Sequence, residues 1–344
     1  PTPTLIPTVI PTATLTPTLT PTMEKHKIII LPGLGASWNS EAMIFNGDTD
    51  DWKMTPFVKN YDGLIKTLEN NGLQNGSDFY VWNYDWRKPM STIVEKLNYF
   101  INANIKNDEK VDLVGHSLGG VVARIWAKEH GNGKLGKVIT LGSPEMGSLN
   151  AYKAWNGAEL GKPSEVSTIA LNVLLQLQRK NFQTTLETLR NYAPIIKDLL
   201  PTFKFTDKNI ETKNNYLSTK NSGMNQIFSS LYSTVGVGES TVEFFKLGER
   251  NILDNILGYW PDGKIKKEIW GNGDGTVLIN SAKFDGQVFD DIRSNHGEIV
   301  DKSLVAITEK LGLDKNKIVN GTTENLSNKL LFFIGSPVDM TVKC

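Results

Sequence analysis

The 344 residues hold a single cysteine, Cys344, and four histidines, so the side chains that most often bind metals or pair as disulfides are scarce. One thiol cannot build a disulfide framework or a cysteine-based metal site, and its place at the last residue argues against a catalytic role. No apolar run approaches the ~18 residues that a membrane-crossing helix needs. Neither sign of charge is in excess: Lys+Arg and Asp+Glu number 37 each, which removes the electrostatic case for a nucleic-acid partner. What remains is a chain larger than one average domain but suited to a single α/β domain with insertions, with ample residues to bury a core.

The most informative run is Val111-Asp112-Leu113-Val114-Gly115-His116-Ser117-Leu118-Gly119-Gly120. It sets a serine between two glycines directly after an apolar strand-like stretch, and Val121 to Trp126 follow at helical spacing, with Gly131 and Gly133 as stop signals. A serine hydroxyl is a poor nucleophile until a base takes its proton, so a strand must deliver it on a sharp, strained turn that only small neighbours tolerate. Ser117 is therefore the candidate nucleophile. The alternative is a glycine-rich strand-to-helix turn without chemistry.

A base should follow in the chain, and the four histidines make the search short. His26 precedes the first core strand, His116 adjoins the nucleophile and must point elsewhere, and His130 ends the elbow helix. His296 remains, in a polar loop opening an amphipathic helix whose apolar face is Ile299, Val300, Leu304, Ile307 and Leu311. For the acid, Asp274 lies in the glycine-rich turn Gly271 to Val277, 22 residues before His296. Its role would be to accept the Nδ1 proton of His296 and stabilise the imidazolium. Asp285, Asp290 and Asp291 are rivals nearer in sequence; Asp285 opens its own turn, and the other two end a strand expected over 287–292. An ordinary turn aspartate is the plain alternative for Asp274.

An oxyanion formed on attack needs two backbone N–H donors. The Leu118 amide comes with the elbow. The second is assigned to Leu34, because Lys27 to Leu31 form a β-branched run that ends in Pro32-Gly33-Leu34-Gly35. No metal or organic cofactor is needed for such chemistry.

The ends and the middle of the chain read differently. Residues 1–22 are nearly all Pro and Thr with scattered Leu, Ile, Val and Ala and no charge, the pattern of a semi-rigid spacer of an exported or surface protein. With Pro1 first, the chain reads as a piece of a longer surface protein with other domains. Residues 23–313 are expected to form the main domain, and 314–344 a polar linker plus two short strands, the start of a small β-domain or an edge hairpin. Between the elbow unit and Asp274, residues 148–230 are largely helical by period. Val166, Ile169, Ala170, Val173, Leu174 and Leu177 form one stripe; Phe182, Leu186, Leu189, Ala193, Ile196 and Leu200 continue a similar one. This is the place of a cap whose apolar underside packs on the sheet, lines an acyl pocket, or does both. Tyr84-Asp85-Trp86-Arg87 closes a strand expected over 79–85; Asp85 and Arg87 are expected to tie down a loop while Trp86 packs, the alternative being Trp86 as a wall of the acyl pocket.

Taken in order, Pro32-Gly33-Leu34-Gly35, Tyr84 to Arg87, Gly115 to Gly120, Gly142-Ser143-Pro144, Leu199-Leu200-Pro201-Thr202 and Gly273 to Val277 resemble the lecithin:cholesterol acyltransferase family of lipases and acyltransferases. The resemblance spans about residues 27 to 312. It implies an α/β-hydrolase fold, a serine triad, a lid and lipid ester substrates met at a membrane or lipid surface, and it carries the same roles onto Ser117, Asp274, His296, Leu34 and Leu118. With one cysteine the chain lacks the disulfides of the vertebrate members, and Glu145 follows Ser143-Pro144 where these enzymes usually carry another residue type. The expectation is an extracellular or cell-surface serine esterase or lipase. An acyltransferase to an alcohol acceptor and an adhesion module on a non-catalytic hydrolase scaffold are the alternatives.

Overall fold

The computed structural model describes residues 26–56, 58–161 and 166–321; the Pro/Thr segment 1–22 and the strand pair expected after residue 330 lie outside them. In chain order the first elements are β1 (His26–Leu31), β2 (Ser37–Trp38), α1 (Ser40–Phe45), β3 (Lys53–Met54), α2 (Asp62–Asn70), β4 (Phe79–Val81), α3 (Met90–Asn104), β5 (Lys110–His116), α4 (Leu118–His130) and β6 (Leu135–Leu141). Five helices follow, α5 (Leu149–Gly157), α6 (Val166–Gln178), α7 (Thr185–Tyr192), α8 (Ile195–Asp198) and α9 (Asn215–Asn221). The last elements are β7 (Leu231–Val237), β8 (Glu239–Gly248), α10 (Ile252–Leu257), β9 (Lys264–Gly273), β10 (Phe289–Arg293), α11 (Ile299–Lys302) and α12 (Leu304–Leu311).

Among the described residues, the main sheet has six strands in the order β10-β7-β6-β5-β1-β4, all paired in parallel. Parallel strands need both faces covered, which is why β1 and β5 read as near-continuous apolar runs. Along β1 the faces alternate: Ile29 and Leu31 join the core that contains α3 and α4, and Ile28 and Ile30 join the one that contains α2, α11 and α12. The architecture is the α/β-hydrolase fold, with the strand–turn–helix unit β5–Ser117–α4 at its centre. Among the described residues, no helix is long and apolar enough to cross a membrane.

Several expected elements form with different limits. The strand expected over 79–85 stops at Val81, because the chain turns there into the loop carrying Tyr84 to Arg87. The helix expected over 299–311 breaks in two at Ser303, whose hydroxyl donates to the Ile299 carbonyl at 2.5 Å and so competes with the backbone ladder. The second cap stripe is interrupted as well. Phe182 has φ 67° and is fully exposed in a turn, and α7 starts afresh from a capping box between Thr184 and Glu187. Pro194 then ends α7 and caps α8.

Two features extend the domain beyond the sequence reading. Strands β8 and β9, ten residues each, pair antiparallel as a hairpin tipped by α10. Its Val242, Phe245 and Leu247 pack with Tyr152, Leu200, Phe205 and Trp260, so the hairpin joins the helical cap above the carboxyl ends of the strands. Residues 314–321 run along α2, with the Val319 amide donating to Thr67 Oγ1 at 3.0 Å and Asn70 donating to the Lys317 carbonyl at 2.9 Å.

Candidate active site

Ser117 caps the N-terminus of α4 with φ 54° and ψ −124°, a strained backbone for a residue with a side chain. The surrounding structure enforces that conformation. Its N–H donates to the Leu141 carbonyl at 3.0 Å, and its carbonyl accepts from Gly120 at 3.1 Å. A side chain at Gly119 would collide with the Leu31 carbonyl, and one at Gly115 with the backbone of Gly119 and Gly120. The glycines are thus required by close approach of β1 and α4 to the turn.

His296 Nε2 lies 3.0 Å from Ser117 Oγ, and His296 Nδ1 lies 2.7 Å from Asp274 Oδ2. The Asp274 carbonyl also accepts the His296 amide at 2.8 Å, so one residue holds both the backbone and the ring of the other. Asp274 follows the last residue of β9 and is 1% exposed. Burial by itself would push its carboxyl up; the facing His296 and the N–H groups of Val277 and Thr276, at 2.7 and 2.9 Å on Oδ1, hold it below the usual carboxylate range. Asp285, Asp290 and Asp291 are exposed. Gly142, with φ 55°, explains its own motif: a Cβ there would stand 2.9 Å from Asp274 Oδ2 and 3.4 Å from His296 Nδ1.

Leu34 and Leu118 flank the serine from two elements. Leu118 is the first residue of α4, where helical N–H groups have no intrahelical acceptor. Leu34 follows Gly33 in the loop after β1, and a Cβ on Gly33 would lie 3.0 Å from Ser117 Cβ, so this loop rests on the nucleophile. Among the described residues neither the Leu34 nor the Leu118 amide donates a hydrogen bond. The rest of the loop is clamped. Tyr84 donates its hydroxyl to the Pro32 carbonyl at 2.7 Å, Trp86 Nε1 donates to the Ser37 carbonyl at 3.0 Å, and Thr55 donates to the Gly35 carbonyl at 2.7 Å.

Tyr84 to Arg87 therefore braces the loop that carries Leu34. Arg87 grips Asp85 through two bonds of 2.8 Å, donates to the Ala42 carbonyl at 2.6 Å and lies over the rings of Trp52 and Tyr192. It thus ties this loop to α1 and α7. A groove of about 890 Å³ opens beside Tyr84 along edge strand β4, but neither Ser117 nor His296 lines it.

Three sets of contacts carry no sequence signal: Tyr61, just before α2, with Gly33; His116 with Tyr61 and His296; and Glu145 with Arg124. Each joins residues far apart in the chain. Gly33 donates its N–H to the Tyr61 hydroxyl at 2.8 Å, Tyr61 meets His116 Nδ1 at 2.9 Å, and His116 Nε2 meets the His296 carbonyl at 3.0 Å. Among the described residues, no group of three or more His, Cys, Asp or Glu side chains could hold a metal ion.

A hydroxyl beside an imidazole whose far nitrogen is held by a carboxylate can attack a carbonyl carbon, pass its proton to the ring and return it to a leaving group. A sequence model of the family described as lecithin:cholesterol acyltransferase matches residues 50–226, which include Ser117. No curated protein matches the chain. Among solved structures, the mature lipase BlEst2 of Bacillus licheniformis is similar at 16% identity and a TM-score of 0.41, over 87% of this chain and 96% of that one. A metagenomic carboxyl esterase, MGS0156, is similar at 13% identity and a TM-score of 0.36, over 85% of this chain and 75% of that one. Phospholipase PlaB of Legionella pneumophila is similar at 11% identity and a TM-score of 0.31, over 61% of this chain and 39% of that one.

Proposed function

This chain belongs to the lecithin:cholesterol acyltransferase family and is an esterase or acyltransferase, and we propose that it cleaves carboxylic esters of lipids with Ser117, His296 and Asp274. The reading is carried by one observation, the continuous line of hydrogen bonds from Ser117 Oγ through the His296 ring to Asp274, at 3.0 and 2.7 Å.

Ser117 Oγ attacks the ester carbonyl carbon while its proton moves to His296 Nε2. Asp274 stabilises the imidazolium through Nδ1 and fixes the tautomer. The Leu34 and Leu118 amides receive the oxyanion. Collapse of the tetrahedral intermediate breaks the bond to the alcohol, which leaves with the His296 proton. Water then attacks the acyl-serine, His296 takes the water proton, and the acid departs as Ser117 recovers its own. An alcohol in place of that water gives acyl transfer, the second reading, favoured by the family's own acyltransferases.

The lipid preference draws on the apolar side chains left exposed on α1 and the cap: Phe45 on α1, Val173 and Leu177 on α6, and Phe182 after it. We place the enzyme outside the cell or on its exterior, on the Pro/Thr composition of residues 1–22.

The test is labelling with a serine-reactive fluorophosphonate, followed by hydrolysis of a p-nitrophenyl ester series with and without an acceptor alcohol. Labelling of the wild type and loss of label in Ser117→Ala support the serine mechanism. An unlabelled, inert wild type would leave only a scaffold role. Product ester formed with the alcohol assigns acyl transfer.

A further inference from the structure

His116 and Tyr61 are buried beside the site, at 6% and 2% exposure, and the reaction just described uses neither. Their hydrogen bonds have one consistent assignment. The His296 carbonyl only accepts, so His116 Nε2 carries the proton and donates to it at 3.0 Å. Nδ1 of a neutral ring is then an acceptor, and Tyr61 donates its hydroxyl proton there at 2.9 Å. The Tyr61 oxygen keeps a lone pair for the Gly33 N–H at 2.8 Å. Every donor in this line meets an acceptor, from the peptide next to Leu34 across two side chains to the backbone of the base.

We propose that Tyr61 and His116 are positioning residues: together they form a hydrogen-bonded strut that holds the Pro32–Gly33 peptide, the one before the Leu34 amide, and the His296 loop in fixed register around Ser117. The proposal rests on the serine mechanism above. Tyr61 on the Gly33 N–H fixes the Pro32–Gly33 peptide, whose carbonyl Tyr84 already holds, so that the next amide, Leu34, stays available for the oxyanion. Holding the His296 carbonyl restrains the backbone of the base independently of Asp274, which restrains its amide and ring. The two loops come from opposite ends of the domain, after β1 and before α11. Without the strut, each would be held only by its separate contacts, the first by Tyr84, Trp86 and Thr55 and the second by Asp274.

The charge state suits the role. The His116 and His296 rings stand 4.8 Å apart between centroids, and His296 becomes a cation during each acyl transfer. A second cation there would oppose that step. Burial, and next the facing His296, push His116 down to about 3, with the His296 carbonyl bond and Asp274 acting the other way, so the ring is neutral wherever the enzyme would work. Burial also pushes the Tyr61 hydroxyl up, so it stays a proton donor.

The experiment compares kcat and KM on one soluble p-nitrophenyl ester for Tyr61→Phe, His116→Leu, His116→Gln and Ser117→Ala, each checked for fold by thermal melting. Removing an oxyanion donor outright costs ~10²–10³ in kcat, which bounds the effect of misplacing one. Tyr61→Phe and His116→Leu are expected to lower kcat by about tenfold or more with KM within about twofold. His116→Gln, which keeps one amide donor for the His296 carbonyl and one acceptor for Tyr61, is expected to recover most of that loss. A kcat for folded Tyr61→Phe within twofold of wild type overturns the proposal, as does equal loss in His116→Gln and His116→Leu. Should His116→Leu fail to fold, Tyr61→Phe, which removes a single oxygen, decides alone. Ser117→Ala separates the two levels: full activity there overturns the serine mechanism itself, whereas an inert Ser117→Ala beside an unaffected Tyr61→Phe overturns the strut only.

Discussion

Arg124 on the elbow helix α4 donates from Nε to Glu145 Oε2 at 2.6 Å, and both side chains are fully buried. The guanidinium also donates to Asn221 on α9 at 2.6 Å and lies over the Phe284 ring, so this pair pins α4 to the loop after β6 and to the cap. Glu145 thus has a structural partner.

Breaking that pair strands a charge in the core. Glu145→Ala is expected to destabilise the fold by about 3–5 kcal/mol, read from urea unfolding. Replacing both partners with apolar residues of similar size, Arg124→Met with Glu145→Leu, should recover most of the loss. An additive loss in the double variant would show that the pair does not act as a unit.

Asp274→Asn should lower kcat by about 10⁴ with the fold intact, because an amide there favours the wrong histidine tautomer. The same exchange at Asp285, Asp290 or Asp291, all exposed, should leave kcat within about twofold. If one of those three variants is the inactive one, the acid has been misassigned.

Acid should weaken the fold through His116. Its folded value is about 3 against an ordinary 6.5, so between those limits the unfolded chain binds a proton that the native state refuses. Stability is therefore complete above pH 6.5 and falls as pH drops toward 3. Asp274, held below the usual range, adds a loss of the same sign at lower pH. Melting temperature measured from pH 7 to pH 4.5 should fall more steeply for the wild type than for His116→Gln, which has no ring to protonate. Parallel slopes would assign the acid sensitivity elsewhere.

The cap offers a kinetic signature. α6 buries Leu174 and Leu175 yet leaves Val173 and Leu177 in solvent, and Phe182 beyond it is fully exposed. If these side chains meet lipid, activity should step upward as a long-chain ester passes from monomers to micelles. Leu177→Ser with Phe182→Ser should flatten that step while sparing a short soluble ester. A smooth saturation curve for the wild type would make the enzyme a general esterase and leave the site assignments as they stand.

Much of the site was legible because local rules wrote it. A serine between glycines after an apolar run specifies a strand–turn–helix, and β5, Ser117 and α4 follow that instruction residue by residue. With four histidines, elimination led to His296. Tyr84 to Arg87 read as a loop brace, since aromatic and charged residues at strand ends pack and pair. The stripe over 166–177 read as a helix, although not which of its apolar residues would be exposed.

Tertiary structure decided the rest. The sequence favours Asp274 over three rival aspartates on turn context alone, and it is the β8–β9 hairpin, which has no counterpart in the sequence reading, that carries its carboxylate to 2.7 Å from His296. Ser303 and Pro194 cut helices that apolar periodicity had run together. The line from Gly33 through Tyr61 and His116 to His296 joins residues as much as 180 positions apart. Periodicity and turn chemistry act over a few residues and fix backbone shape. Which side chains meet across the carboxyl edge of a sheet depends on strand order and loop path, and these exist only once the chain has folded.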